Sequence, residues 1–419
     1  MHAATKAIGP PAVSTPVTNI MNGTPDSERD SLRGWLVVAF GVIVLLLVWG
    51  VIFTFTVYSE ALSIAFGLSE LRTSTVFSIT TAAFYIAGGV AGVAAARVPL
   101  RPVVAAAGVS IAAAAGILRI ATSYPGVIVA FGLLGTAGGT IFVVVISLVP
   151  QWFDEYEGRA MGVTFTGNGL GILVLPPVWV WLLERTGIRD AFAVIAGVTA
   201  VAVLGAATIY RRPSGRHSGA GPVVGADWLR ANVFEPRFLT AVAGFSLLWT
   251  WYFVLSADLV GILTGNGIPR AVAATAFGIV GGVSVAGRVA SGEFADRIGT
   301  RVTLTAGVAV AAGAMVALPW IGSTLPMYAL LIAFGAGLGA VAPLFSPVVI
   351  SRFGPQNATA IVGAFTVGQA VTAFSAPVVL SLLRSASGGY ALPLVVLGCV
   401  TLIGGGLFYR GTAPGPAKE

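Results

Sequence analysis

Charge is scarce in this chain. Of its 419 residues 9% are charged and 56% are hydrophobic, whereas a soluble domain carries about 25% charged residues. Cysteine is nearly absent: Cys399 stands alone, which excludes an internal disulfide and gives no support to a cysteine-based metal site. Histidine is as rare, and His2 and His217 both fall outside the apolar runs, so no histidine metal or proton site is expected within them. The period-two alternation of a β-barrel is missing too. No nucleophile–base set is found. One glycine-rich stretch, "GTAGGT" from Gly135 to Thr140, has the look of a nucleotide loop, but it lies inside an apolar run without the strand and helix that such a loop requires. These absences argue against an enzyme, a cofactor site, a metal site and a nucleic-acid partner.

What the chain has instead is apolar length. Its apolar blocks run about 20 to 25 residues, enough to cross a bilayer core of about 30 Å as helices. Twelve are expected, at 34–58, 72–96, 101–122, 125–150, 158–183, 188–210, 238–263, 270–294, 301–322, 324–350, 357–383 and 388–409. The fold class expected is an all-α membrane protein. Residues 1–30, polar and rich in Pro, Ser and Thr, read as a flexible tail with no cleavable signal before the first span. The net charge of +7 is a matter of topology. With the N-terminus inside, sixteen of the 23 Lys and Arg fall on the inner side, six on the outer side, and Arg288 is the one left. That bias places both termini in the cytoplasm of a cell-membrane protein.

The longest polar interruption, residues 211–237, divides the chain into bundles at 31–210 and 238–410, with a tail at 411–419. The two bundles repeat one another. Phe153 and Phe353, Ala160 and Ala360, Phe165-Thr166 and Phe365-Thr366, and Pro177 and Pro377 stand 200 residues apart. "AGGVA" (Ala87 to Ala91) and "AGRVA" (Ala286 to Ala290) match at an offset of 199. Arg288 thus takes the place that Gly89 holds in the first bundle. Glycine there lets helices approach closely, so the fold itself does not ask for a cation. A guanidinium stays charged at any physiological pH, and burying it in hydrocarbon costs about 3 kcal/mol. Arg288 either snorkels to the cytoplasm or holds a ligand.

Two pseudo-symmetric six-helix bundles match the architecture of a major facilitator transporter. "GEFADRIGTR", Gly292 to Arg301, resembles that superfamily's signature loop between helices 8 and 9; the first-half copy, "GVAAARVPLR", lacks the Asp-Arg pair. "PQWFDEYEGRAMGVTFTGNGLGILVLPP" (Pro150 to Pro177), "RGWLVV" and the "GR" of helix 8 resemble the monocarboxylate transporter and oxalate:formate antiporter families. That resemblance implies a monomeric carrier of small organic anions such as lactate or pyruvate, working by alternating access with a proton as possible co-substrate. An anion exchanger of the oxalate:formate type is the alternative, and a transporter-like nutrient sensor is a third reading. In both families a helix-8 arginine binds the substrate carboxylate, a role the resemblance gives to Arg288, whose planar fork suits bidentate pairing.

Weaker candidates surround it. Asn168 and Gln369 occupy nearly matching places on helices 5 and 11, with helix-to-helix hydrogen bonding as the competing explanation. Phe142, Phe345 and Phe365 could wall an apolar pocket or simply pack. Some bacterial monocarboxylate carriers have a tyrosine at the helix-4 position where Phe142 stands. Monocarboxylate transporters place an acid one turn before the arginine, where this chain has Ser284, and a lysine on helix 1, where Ile52 is the best match. The antiporter's helix-11 lysine corresponds to Gln369. One central cation therefore implies a monocarboxylate rather than a dianion. Asp258 is the acid placed clearly within a span, and an intramembrane carboxylate is a functional hypothesis by default. It is the candidate for proton coupling. Glu60, Arg119 and Glu184 read as interfacial.

Overall fold

The computed structural model describes residues 31–95, 98–153, 155–213, 226–354 and 358–413. The tail read at residues 1–30, the middle of the linker and the last residues lie outside these. Among the described residues there are helices and no strands, as a hydrocarbon solvent demands of a backbone that must satisfy itself.

The first span is two helices, α1 (Leu32–Phe53) and α2 (Phe55–Phe66). Ser31 opens α1 as an N-cap, its hydroxyl accepting from the Gly34 N–H, and Gly67 closes α2 in the left-handed conformation, φ 59°. The break between them falls at Thr54, whose hydroxyl donates back to the Gly50 carbonyl. Then come α3 (Glu70–Ala95), α4 (Leu100–Ile120), α5 (Tyr124–Leu148) and α6 (Glu157–Ile209). At 53 residues, α6 would be about 80 Å long if straight, far more than one crossing needs. It is two crossings joined at Gly187 (φ 76°, ψ 172°), a conformation open to glycine and strained for other residues. The return is visible in the side chains: Arg189 donates to the carbonyls of Leu118 and Arg119 at one face, and Trp152 Nε1 to the Arg211 carbonyl at the other. The expected gap between the fifth and sixth spans is a sharp turn. Among the described residues eleven helical stretches are long and apolar enough to cross a membrane, and counting α6 twice gives twelve crossings.

The second half follows the same plan. A short helix not expected from the sequence, α7 (Ala226–Asn232), lies in the linker. The seventh span is α8 (Pro236–Leu248) plus α9 (Thr250–Gly265), followed by α10 (Arg270–Ile298), α11 (Thr300–Ala317), α12 (Thr324–Phe353), α13 (Ala358–Ser387) and α14 (Ala391–Gly411). Like the first span, the seventh is broken, at Trp249 and again at Asp258 (φ −146°, ψ 19°). Across that second break the Val260 N–H turns to Thr56 Oγ1 of α2, 2.7 Å away. The bend in one half is thus keyed into the other.

Packing separates the halves. In the first, α6 lies on α1 and α4, and α3 and α4 lie on α5; in the second, α14 lies on α8 and α11, and α12 on α10 and α11. The halves meet through α3 with α13, α6 with α10, and α2 with α9. Both described ends of the chain lie at one face, called here the terminal face; the turns at Gly67, Gly187, Gly267 and Gly388 lie at the far face.

Glycine sets how close the helices come. Gly135 and Gly139 of α5 press on the backbone carbonyls of Thr80 and Phe84 in α3, where a Cβ at either position would overlap the carbonyl oxygen. Gly116, by contrast, has nothing within 4 Å of an added Cβ. Gly139→Val should lower stability by about 1–3 kcal/mol, the usual cost of overpacking, read as a reduced melting temperature in detergent, while Gly116→Ala leaves it unchanged. Equal melting temperatures for Gly139→Val and the parent would contradict the close α3–α5 crossing.

Candidate functional site

The crossing of α6 and α10 is built on small residues. A Cβ on Gly281 would meet the Gly169 carbonyl and Ile172, and one on Gly278 would sit 3.0 Å from the Leu173 carbonyl. Two turns beyond Gly281 this close approach delivers Arg288 into the seam between the halves. Arg288 lies ten residues before the end of α10 at Ile298, about 15 Å along the axis. The side chain is half-buried, and Nη1 donates to the Phe165 carbonyl of the opposite half. The guanidinium carbon is 5.9 Å from the Phe165 ring centroid. Nε is buried and has no partner. A buried unsatisfied donor costs about 1–3 kcal/mol or more, so this N–H leaves room for an acceptor; Nε of Arg301 and Nε of Arg352 are likewise buried without a partner.

Two of the sequence candidates share this seam. Asn168, one turn beyond Phe165, is 5% exposed, and its Oδ1 is buried without a partner. Ser284, one turn before Arg288, is fully buried and donates to the Gly281 carbonyl at 2.7 Å; its Oγ would lie 3.0 Å from a Cβ on Gly169. At the pseudo-symmetric seam a Cβ on Gly89 would meet Val367 Cγ2 at 2.6 Å. The same position of the repeat carries packing in one half and a cation in the other.

Phe142 joins the seam through aromatic contacts, its ring centroid 6.4 Å from Phe165 and 5.2 Å from Trp49. Trp49 Nε1 then donates to the Tyr252 hydroxyl at 2.9 Å, from α1 to α9 and so from one half to the other. Sequence reasoning missed Trp49 and Tyr252. Their signal was a polar tip inside an apolar span, which buried Trp and Tyr ordinarily give to a hydrogen bond. Phe345 and Phe365 go elsewhere. Phe345 stacks on Phe245 at 4.3 Å, and Phe365, wholly buried, packs with Phe238, Phe245 and Phe408 inside the second half. Gln369 is buried on α13, 6% exposed.

Asp258 is not beside Arg288. It lines a separate cleft of about 490 Å³ at the far face, between the halves. Tyr390 donates to its Oδ2 at 2.6 Å; Arg384 Nη1 is 3.6 Å from that oxygen and 3.2 Å from Glu70 Oε1. Glu60 of α2 pairs with Arg270 of α10 in the same cleft. Arg119 is exposed and paired with Asp190 at 2.9 Å within the first half, so its charge is spent at the periphery. Among the described residues no group of three or more His, Cys, Asp or Glu could hold a metal ion.

Comparison with known proteins fits this architecture. The Major Facilitator Superfamily sequence model matches residues 38–377. Monocarboxylate transporter 13 of Rattus norvegicus is 25% identical over 379 residues, which cover 89% of this chain and 88% of the relative. The oxalate:formate antiporter of Oxalobacter formigenes is 23% identical over 256 residues, 59% of each chain. Among solved structures, a bacterial homolog of the human lysosomal transporter Spinster, in an inward-facing and unoccupied conformation, superposes with a TM-score of 0.74 at 12% identity, over 91% of this chain and 97% of that one. The nucleoside transporter NupG gives a TM-score of 0.74 at 13% identity, over 89% and 98%. At such identities these structures speak to the fold alone. The chain belongs to the Major Facilitator Superfamily and is a multi-pass membrane transporter rather than an enzyme.

Proposed function

We propose that the protein carries small monocarboxylates of the lactate and pyruvate kind across the cell membrane by alternating access, as a monomer and in company with a proton. The terminal face is cytoplasmic, as the bias of Lys and Arg toward the inner loops favours, and the far face is outside. The observation that carries this reading is the buried, unpartnered Nε of Arg288 at the seam of the two halves. A carboxylate on the Nε side makes two parallel charge-assisted bonds while Nη1 keeps its carbonyl in the other half. Binding there touches both rocking bodies at once. Asn168 Oδ1 supplies an acceptor, Phe142 and Trp49 an apolar wall for a short carbon chain, and Ser284 close packing beside the arginine. The monocarboxylate and oxalate:formate relatives, both carriers of carboxylates by their names, support the substrate class.

Charge selects among carboxylates. A carboxylate in a poorly solvated site needs a cation, and two need two. Among the described residues the seam offers Arg288, and Gln369 on α13 is neutral, which favours a monoanion over oxalate. An exchanger of the oxalate:formate type would show the opposite preference.

Arg288→Ala should weaken lactate binding more than about a hundredfold, since removing one partner of a buried charge pair costs about 3–5 kcal/mol. The variant should keep the parent's melting temperature in detergent. Arg288→Lys should also fail, because an ammonium lacks the fork. Uptake of labelled lactate into proteoliposomes checks both, and near-normal uptake by Arg288→Ala would reduce the arginine to a snorkelling side chain. In the parent, lactate should inhibit uptake more strongly than oxalate or malonate at matched concentration. Gln369→Lys should gain oxalate inhibition. Stronger inhibition of the parent by the dianions would favour the exchanger.

A further inference from the structure

We propose that the far-face cleft contains a proton site at Asp258, and that its occupancy decides whether Arg384 is drawn within the second half or pairs across to Glu70 of the first. The inference rests on the reading of transport as proton-coupled, and not on which carboxylate is carried.

Three carboxylates, Glu60, Glu70 and Asp258, line the cleft with two guanidiniums, Arg270 and Arg384. Glu60 pairs with Arg270 and Glu70 with Arg384, each across the halves. Asp258 is the carboxylate in excess. Its nearest partner is the neutral Tyr390 hydroxyl at 2.6 Å, and the guanidinium 3.6 Å away already lies closer to Glu70. Asp258 is also the least exposed of the three, its side chain 23% accessible against 40% for Glu70 and 55% for Glu60. A proton on it leaves the cleft balanced. Because Tyr390 donates to Oδ2, the proton belongs on Oδ1, beside Gly261, where a Cβ would collide with that oxygen. The facing groups on neighbouring elements are otherwise hydroxyls, Thr56 and Ser59 of α2 and Thr73 of α3, with Arg270 from α10. Arg237 of α8, Arg301 of α11 and Arg410 of α14 lie at the terminal face.

The consequence follows from which half each group belongs to. Glu70 is in the first half; Asp258, Tyr390 and Arg384 are in the second. An ionised Asp258 competes for Arg384 and turns an inter-half pair into an intra-half one, loosening the far face. A protonated Asp258 gives up the competition, and Arg384 and Glu70 tie α13 to α3. The same residue sits on the break of α9 whose freed Val260 N–H is held by Thr56 of the other half. Charge state and hinge therefore coincide, and a proton entering from the outer solvent favours closure of the outer face.

The test reads the cleft directly, without substrate. In a Cys399→Ser background, Ser63→Cys places a thiol on the α2 wall of the cleft, and its labelling by a membrane-impermeant thiol reagent is followed in proteoliposomes. Between about pH 5 and 8, the ordinary range of greatest stability, labelling should slow at least about fivefold as pH falls, the lower end of typical couplings between sites. Asp258→Asn, which keeps an acceptor for Tyr390, should label slowly at every pH. Glu70→Gln, which removes the cross-half partner, should label rapidly at every pH. A full parental pH response in Asp258→Asn overturns the proposal, as does a parent that labels identically across the range. Should Asp258→Asn fail to fold, Glu70→Gln decides: a retained pH response overturns the site. Uptake driven by an imposed pH gradient is measured alongside. Accumulation without an Asp258-dependent labelling change sinks the site and leaves proton coupling standing; the labelling change without accumulation does the reverse.

Discussion

One guanidinium sets the terms at the seam of this protein. Arg288 is carried there by a helix crossing so close that only glycine fits at Gly281 and Gly169, and it satisfies part of its donor set with a carbonyl from the opposite half. An arginine so placed cannot be silent. Its charge is fixed, its surroundings are apolar, and one of its N–H groups is left over. The glycine at the equivalent position of the first half shows that the fold does not need a cation there, and in the proposed reading a ligand offsets the cost of burying it. The aromatic residues beside it, Phe142 and Trp49, would give the proposed substrate's short carbon chain a wall that does not compete for the arginine.

The far face obeys a different logic. There the charges are numerous, wetter and mostly paired across the halves, as Glu60 with Arg270 and Glu70 with Arg384. Exposed pairs of this kind contribute little to stability individually, which suits contacts that must part and rejoin in each transport cycle. In the proposed reading the seam selects the anion, and the far-face cleft responds to the protonation of Asp258. The seventh span joins the two places, α9 carrying Tyr252 beside the seam and Asp258 in the cleft, six residues apart.

The sequence was most legible where one physical rule dominates. Span number follows from apolar length, the division into halves from the repeat, and the importance of Arg288 from the cost of charge in lipid. It was least legible where two distant segments must be known together. That Asp258 breaks its helix depends on Thr56 waiting in the other half to take the Val260 N–H. That Trp49 meets Tyr252 is equally a fact of the assembled bundle. Phe345 and Phe365 could be read either as cavity walls or as packing: Phe365 is wholly buried in the second half, and Phe345 is half-buried and stacks on Phe245 there. The fifth and sixth spans were legible as separate crossings; what the sequence left open is that one residue of positive φ, Gly187, makes the turn between them.

The central claim is that the unused side of Arg288 is a carboxylate site for a monoanion. Thermal unfolding of the purified protein against a panel of short mono- and dicarboxylates tests it most directly, because a ligand that binds the native state stabilises it by mass action, about 2.7 kcal/mol at a hundred times Kd. The account predicts a concentration-dependent rise in melting temperature with lactate or pyruvate, little with oxalate, and none with any of them in Arg288→Ala. A rise that survives loss of the arginine, or one confined to the dicarboxylates, would contradict it.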